Sequence, residues 1–357
     1  MKLITDHKNN AFNLARLLAS IMVVYGHSLS VGPGLNPLSD ILYRATGVFS
    51  ASLAVKFFFL LSGMLVTTSL LKSGNWVVFL RHRAFRIYPG LICALFFVIL
   101  IVGPLGSPLN YIDFVGSKST FTYLFRNLTF STFGADMSLP SVAISKWTNM
   151  NIPLWTLAPE VTCYIFMLSA FILTLRNRVA FTFFALMVIV DCLLPTRFLL
   201  TFLPVGDDNF SFLPLFFAVG ALLAIYRELL SISIVFPLIF LFLFYLYSGT
   251  YIGVVSKYLV LIFVMLYLFT RPLICKLEIK NDFSYGIYIY GWPCQMIILH
   301  YFSNINGYIH FFFPLALCSL MALISWFYIE RPFINVGKNF HLLWYSNLKD
   351  RFNKHTI

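Results

Sequence analysis

Apolar stretches of about 17–22 residues recur along the whole chain, separated by short polar or basic segments. Each is long enough to cross a bilayer core as a helix. The pattern predicts ten such helices, at residues 12–31, 50–71, 86–103, 154–174, 179–195, 212–229, 231–247, 251–270, 283–301 and 309–329. The fold class expected is therefore all-α: a polytopic membrane bundle of about ten transmembrane helices over residues 1–335, with a short basic cytoplasmic tail at 336–357. The first stretch reads as an internal helix, because polar residues precede it and no small-residue cleavage site follows it.

Composition agrees with the pattern. The 357 residues are 60% hydrophobic and 11% charged, with 40 Phe and 19 Tyr, too little polar surface for a soluble protein of this length. An even number of spans puts both termini on one side. With both inside, the cytoplasm receives 17 of the 25 Lys and Arg, so cytoplasmic termini are expected. The formal charge of +12 then reflects topology. No basic stripe interleaved with base-stacking aromatics suggests a nucleic-acid partner. The six cysteines form no CxxC pair, and no His/Cys cluster has metal-ligand spacing, so they read as packing residues and no metal is expected. The longest segment outside the spans, roughly 104–153, carries Trp147 and several Tyr and Phe and is expected to lie along the membrane surface.

An ionisable residue inside a span is costly, which makes each one a functional candidate. Arg16 and His27 stand eleven residues apart in the first helix, three turns at 100° per residue, on one face and roughly 16 Å apart. Snorkelling to lipid phosphates is the plain alternative for Arg16, and helix packing for His27. Histidine is the usual side chain for taking a proton from a hydroxyl near neutral pH. In LRHRAFRIYPG, residues 80–90, Arg83 and Arg86 share a helix face and fit a guanidinium clamp for a phosphorylated ligand. Ordinary membrane anchoring is the competing reading. Pro89 suggests a kink or break just inside the membrane. Glu160, in LWTLAPEVTCYIF at 154–166, suits a helix N-terminus, or else a carboxylate facing the same outer pocket as His27. Glu330 and Arg331, in IERPF, end the last predicted span, with a local ion pair as the plain reading.

Together these clusters resemble acyltransferase family 3, a family of integral membrane proteins. The matching pieces are Arg16 with ten residues before His27, FFFLLSGML at 57–65, RAFRIYP at 83–89, WTLAPEVTCY at 155–164, SYGIYIYGWPCQ at 284–295 and ERPF at 330–333. The resemblance implies about ten spans and transfer of an acyl group, usually acetyl from acetyl-coenzyme A, to an extracytoplasmic acceptor. In bacteria such acceptors are commonly sugar hydroxyls of lipopolysaccharide O-antigen, capsule, exopolysaccharide or peptidoglycan, or lipid-linked glycans, and the resemblance implies a bacterial inner membrane as the setting. It further implies that Arg16 and His27 form the essential pair, that Arg83 and Arg86 engage coenzyme A, and that Glu330 falls on a family glutamate. Two departures stand out. Lys56 occupies a position where many members carry an acid, and Gly291-Trp292-Pro293 stands where many carry a histidine.

The expected reaction has the donor at the cytosolic arginines and His27 at the acceptor side, with Glu160 beside the reacting groups. Direct attack by a sugar hydroxyl and a relay through acyl-His27 both fit. A transporter of a sugar-linked or small-molecule substrate is the rival class. It would show charges near the midplane and an inverted repeat of broken helices, and the sequence has no such repeat.

Overall fold

The computed structural model describes residues 10–31, 36–130, 150–174, 177–194, 212–229, 232–302 and 309–340. Every predicted apolar segment contains a helix. These are α1 (Phe12–Val31), α3 (Ser50–Ser73), α4 (Trp76–Gly106), α7 (Leu157–Leu173), α8 (Arg178–Leu193), α9 (Leu213–Ile225), α10 (Val235–Leu246), α11 (Tyr251–Phe269), α12 (Ser284–Tyr301) and α13 (Ile309–Phe340). Shorter helices α2 (Ile41–Thr46), α5 (Tyr111–Val115) and α6 (Lys118–Thr129) lie between them. The result is a polytopic helical membrane bundle. Among the described residues there is no strand.

Burial sorts the helices into centre and periphery. In α10 only Pro237 is buried, and apolar side chains such as Phe242 and Tyr245 are exposed, as expected where lipid is the solvent. At the other extreme, α3 and α12 are buried around most of their circumference. The α12 sequence SYGIYIYGWPCQ tolerates this position because its polar groups find partners. The Gln295 amide donates to the Val24 carbonyl at 2.8 Å, and the Tyr285 hydroxyl donates to that of Ile87 at 2.9 Å. A close crossing joins α3 and α9. A Cβ at Gly63 would lie 2.1 Å from the Phe217 carbonyl oxygen, and one at Gly220 2.0 Å from that of Leu60. Small residues permit such backbone approach between membrane helices.

Two helix boundaries differ from the sequence pattern, and both shape the site. The fourth helix starts at Trp76, ten residues before the predicted span, because Gly74 closes α3 in the left-handed conformation and the Asn75 side chain caps α4. Arg83 and Arg86 therefore sit well within a long helix, roughly 10 and 15 Å from its start. That helix passes through Pro89 without a break. The last helix does not stop at Glu330 either. It continues to Phe340, across the predicted 335/336 boundary, by way of a π-helical turn at Trp326–Glu330. This wide turn falls beside Pro332, which has no N–H for a regular helical bond.

The segment at 104–153 is described as far as Phe130, and Trp147 lies outside the described residues. Within it, α6 turns Thr120, Tyr123 and Asn127 inward and leaves Phe121 and Phe125 exposed, an amphipathic arrangement suited to a membrane surface. The end of the basic tail, from 341, also lies outside the described residues.

Candidate active site

A cavity of about 480 Å³ opens among α1, α3, α4, α7, α12 and α13. Its wall carries Arg16, Arg83, Arg86 and Glu160, four of the six sequence-predicted site residues, which come from three helices. Along α3 it extends from Ser69 to Val55, roughly 21 Å at the helical rise. His82, Arg83 and Lys338 line the end near the start of α4, and Thr156 and Tyr288 line the deep end.

The arginines are held by acids from far along the chain. Arg16 Nη1 lies 2.6 Å from Asp282 Oδ2, and Arg86 Nη2 lies 2.7 Å from the same oxygen. Arg86 Nη1 meets Glu330 Oε2 at 2.9 Å. Asp282 also accepts the Ser284 hydroxyl at 2.5 Å, and Glu330 that of Ser325 at 3.0 Å. Burial by itself would raise the Asp282 carboxyl, but Arg16 and then Arg86 hold it below its usual range. The same segment caps α1: Glu278 accepts the Asn13 and Leu14 backbone N–H groups at 3.0 and 3.2 Å, which satisfies two orphan donors at the positive end of the helix. Arg83 differs from Arg16 and Arg86. It has no ion pair among the described residues, and its Nε is buried without a hydrogen bond.

Glu330 makes no local pair with Arg331. It is 1% exposed and faces Arg86, whereas Arg331 is exposed. The π-helical turn ends at Glu330, which supports Arg86 from behind the cavity wall without lining it.

Glu160 lies in the first turn of α7, as its sequence context suggests. Its Oε1 accepts the Ser62 hydroxyl at 2.8 Å and also that of Tyr164, while Oε2 receives no hydrogen bond among the described residues. The expectation that Glu160 shares an outer pocket with His27 is not met, because Glu160 opens onto the arginine cavity. His27 packs edge-on against Trp292, with ring centroids 5.1 Å apart. Tyr288, at the deep end of the cavity, precedes Trp292 by one turn of α12, about 6 Å. One layer of aromatic side chains therefore stands between the cavity and His27. The Lys56 ammonium is buried, donates to Ser52 Oγ at 2.8 Å and lies over the Tyr258 ring.

Sequence reasoning missed Asp282, Ser62 and Tyr164. The last two stand in segments already singled out, FFFLLSGML and WTLAPEVTCY, and their polar atoms inside apolar runs were the available signal. Asp282 had none, because only the fold brings it to Arg16.

Residues 9–331 match the model of acyltransferase family 3, described as an acyltransferase domain. The chain is 27% identical over 344 residues to an O-acetyl transferase of Shigella phage Sf6, which covers 92% of this chain and 97% of the relative. It is also 38% identical over 92 residues to nodulation protein 10 of Rhizobium leguminosarum bv. viciae, 24% of this chain and 23% of that one. No solved structure matches the chain.

Proposed function

The chain belongs to acyltransferase family 3 as a multi-pass membrane acyltransferase, and from that premise we propose that it moves acetyl from cytosolic acetyl-coenzyme A to a hydroxyl of a cell-surface polysaccharide or lipid-linked glycan. The observation that carries this reading is the cavity joining Arg83, Arg16 and Arg86 to Glu160. The name of the phage relative, O-acetyl transferase, supports acetyl as the group moved. The count of basic residues supports cytoplasmic termini and an entrance for the donor on the cytosolic side.

On this reading Arg83, the guanidinium with no acid partner among the described residues, takes donor phosphate as a charge-assisted fork. Arg86 is held by Asp282 and Glu330 and shapes the wall beside it. The pantetheine arm lies along the cavity towards Tyr288, with Glu160 Oε2 free to accept an amide N–H from it. The acceptor arrives at His27 from the opposite side, and the thioester carbonyl meets it across the Tyr288–Trp292 layer. A ring nitrogen of His27 takes the hydroxyl proton as the oxygen attacks the carbonyl carbon. The C–S bond then breaks, and the leaving thiolate recovers a proton as the free thiol. Both rings of the layer must turn for the two substrates to meet.

The test is chemical analysis of the host's surface polysaccharide. Loss of O-acetyl groups on deletion of the gene, with return on expression of the wild-type chain and not of His27→Ala, is the expected result. Unchanged acetylation after deletion would overturn the acceptor assignment.

A further inference from the structure

The end of α13 lies against the start of α4. A Cβ at Gly337 would lie 2.8 Å from Phe85 Cβ, and the Arg81 guanidinium stands over the Phe340 ring at 5.7 Å. This packing brings Lys338 onto the cavity wall beside His82 and Arg83. The charges of Arg81, Arg83 and Lys338 all act on His82. The Nε atoms of Arg81 and Arg83 are buried without hydrogen-bond partners. Neither arginine nor Lys338 has an ion pair among the described residues, and cations so gathered repel one another until an anion is bound.

The order of these groups is informative. Lys338 and His82 stand at the cavity end near the start of α4, then Arg83, then, one turn further along α4, Arg86 with Arg16 beside it through Asp282, and Thr156 and Tyr288 line the far end. Coenzyme A has the matching order: a ribose 3′-phosphate, a diphosphate, a neutral pantetheine arm and the thioester. A phosphate monoester carries about −1.5 to −2 charges near neutral pH, and Arg83 alone does not balance both it and the diphosphate.

We propose that Lys338, with His82 and the charge of Arg81 behind it, forms a second anion subsite for the 3′-phosphate of coenzyme A. The subsite selects coenzyme A thioesters over donors lacking that phosphate. It rests on the donor reading above and adds a residue from the last helix to it.

The experiment measures binding of coenzyme A and of dephospho-coenzyme A, which lacks only the 3′-phosphate, to the full chain in nanodiscs of zwitterionic lipid. The wild type should bind coenzyme A at least about tenfold more tightly, a difference of about 1.4 kcal/mol. Lys338→Met keeps the aliphatic stem and removes the charge. It should weaken coenzyme A binding about tenfold and leave dephospho-coenzyme A unchanged, while Lys338→Arg keeps the preference. Equal wild-type affinities, or equal weakening of both ligands in Lys338→Met, would overturn the subsite and leave the donor reading intact. Binding of neither ligand would overturn both. An effect of Lys338→Met seen only in discs of anionic lipid would make the lysine a headgroup anchor and overturn the subsite.

Discussion

Arg16 Nη1 lies 2.6 Å from Asp282 Oδ2, so a residue near the start of the chain is fixed by one just before α12. The same carboxylate holds Arg86 of α4, which in turn holds Glu330 of α13. Four segments are thereby joined by one alternating chain of charges beside the cavity. Its members are 1–26% exposed, a setting in which each charge depends on its partners for compensation.

Asp282→Asn should be severely damaging although it is nearly isosteric. It leaves two guanidinium groups without their shared acid, and breaking a buried pair costs about 3–5 kcal/mol. Thermal unfolding in detergent should show a large drop, with acyl transfer lost. A variant with wild-type stability and activity would show that the bridge is dispensable.

Arg83 and Arg86 should separate experimentally. Arg83→Ala should raise the requirement for acetyl-coenzyme A about tenfold or more by removing a charge-assisted contact, with little loss of stability because it has no ion pair in the fold among the described residues. Arg86→Ala strands Asp282 and Glu330, so protein abundance itself should fall. Titrating the donor against both variants at matched protein levels checks the contrast, and identical behaviour of the two would refute it.

His27→Ala should abolish transfer without lowering abundance, because the ring stands edge-on to Trp292 and has no ion pair among the described residues for the truncation to break. Trp292→Phe keeps an aromatic in the layer and should retain measurable transfer. Normal acetylation by His27→Ala at normal protein level would end the proposed base role.

Gly220→Ala adds a Cβ 2.0 Å from the Leu60 carbonyl oxygen and so must push α9 away from α3. Overpacking of this kind typically costs about 1–3 kcal/mol, and occasionally more when backbone must move. Reduced membrane abundance with no change in donor affinity of the folded fraction is expected. Wild-type abundance and melting would argue against so close a crossing.

The sequence by itself determined the class and the helices. Hydrophobic length is a local property, and a bilayer requires each spanning segment to satisfy its own backbone, so the ten apolar runs map onto ten helices without tertiary information. The family motifs likewise carried the reading of an acyltransferase. Helix ends in charged segments were less legible. The run from Trp76 through Arg86 is helical because Asn75 caps it, and the last helix passes Glu330 because a wider turn absorbs the irregularity.

Tertiary structure decided the partners. Glu160 belongs to the arginine cavity, Glu330 to Arg86, and Asp282 to Arg16 and Arg86 at once, pairings between segments that no periodicity relates. Arg83 and Arg86 look alike in RHRAFR, yet two acids claim one of them and none of the described residues pairs with the other. Side-chain charge is written in the sequence. Its compensation depends on distances of a few ångströms between separate helices, and only the packed bundle sets those distances.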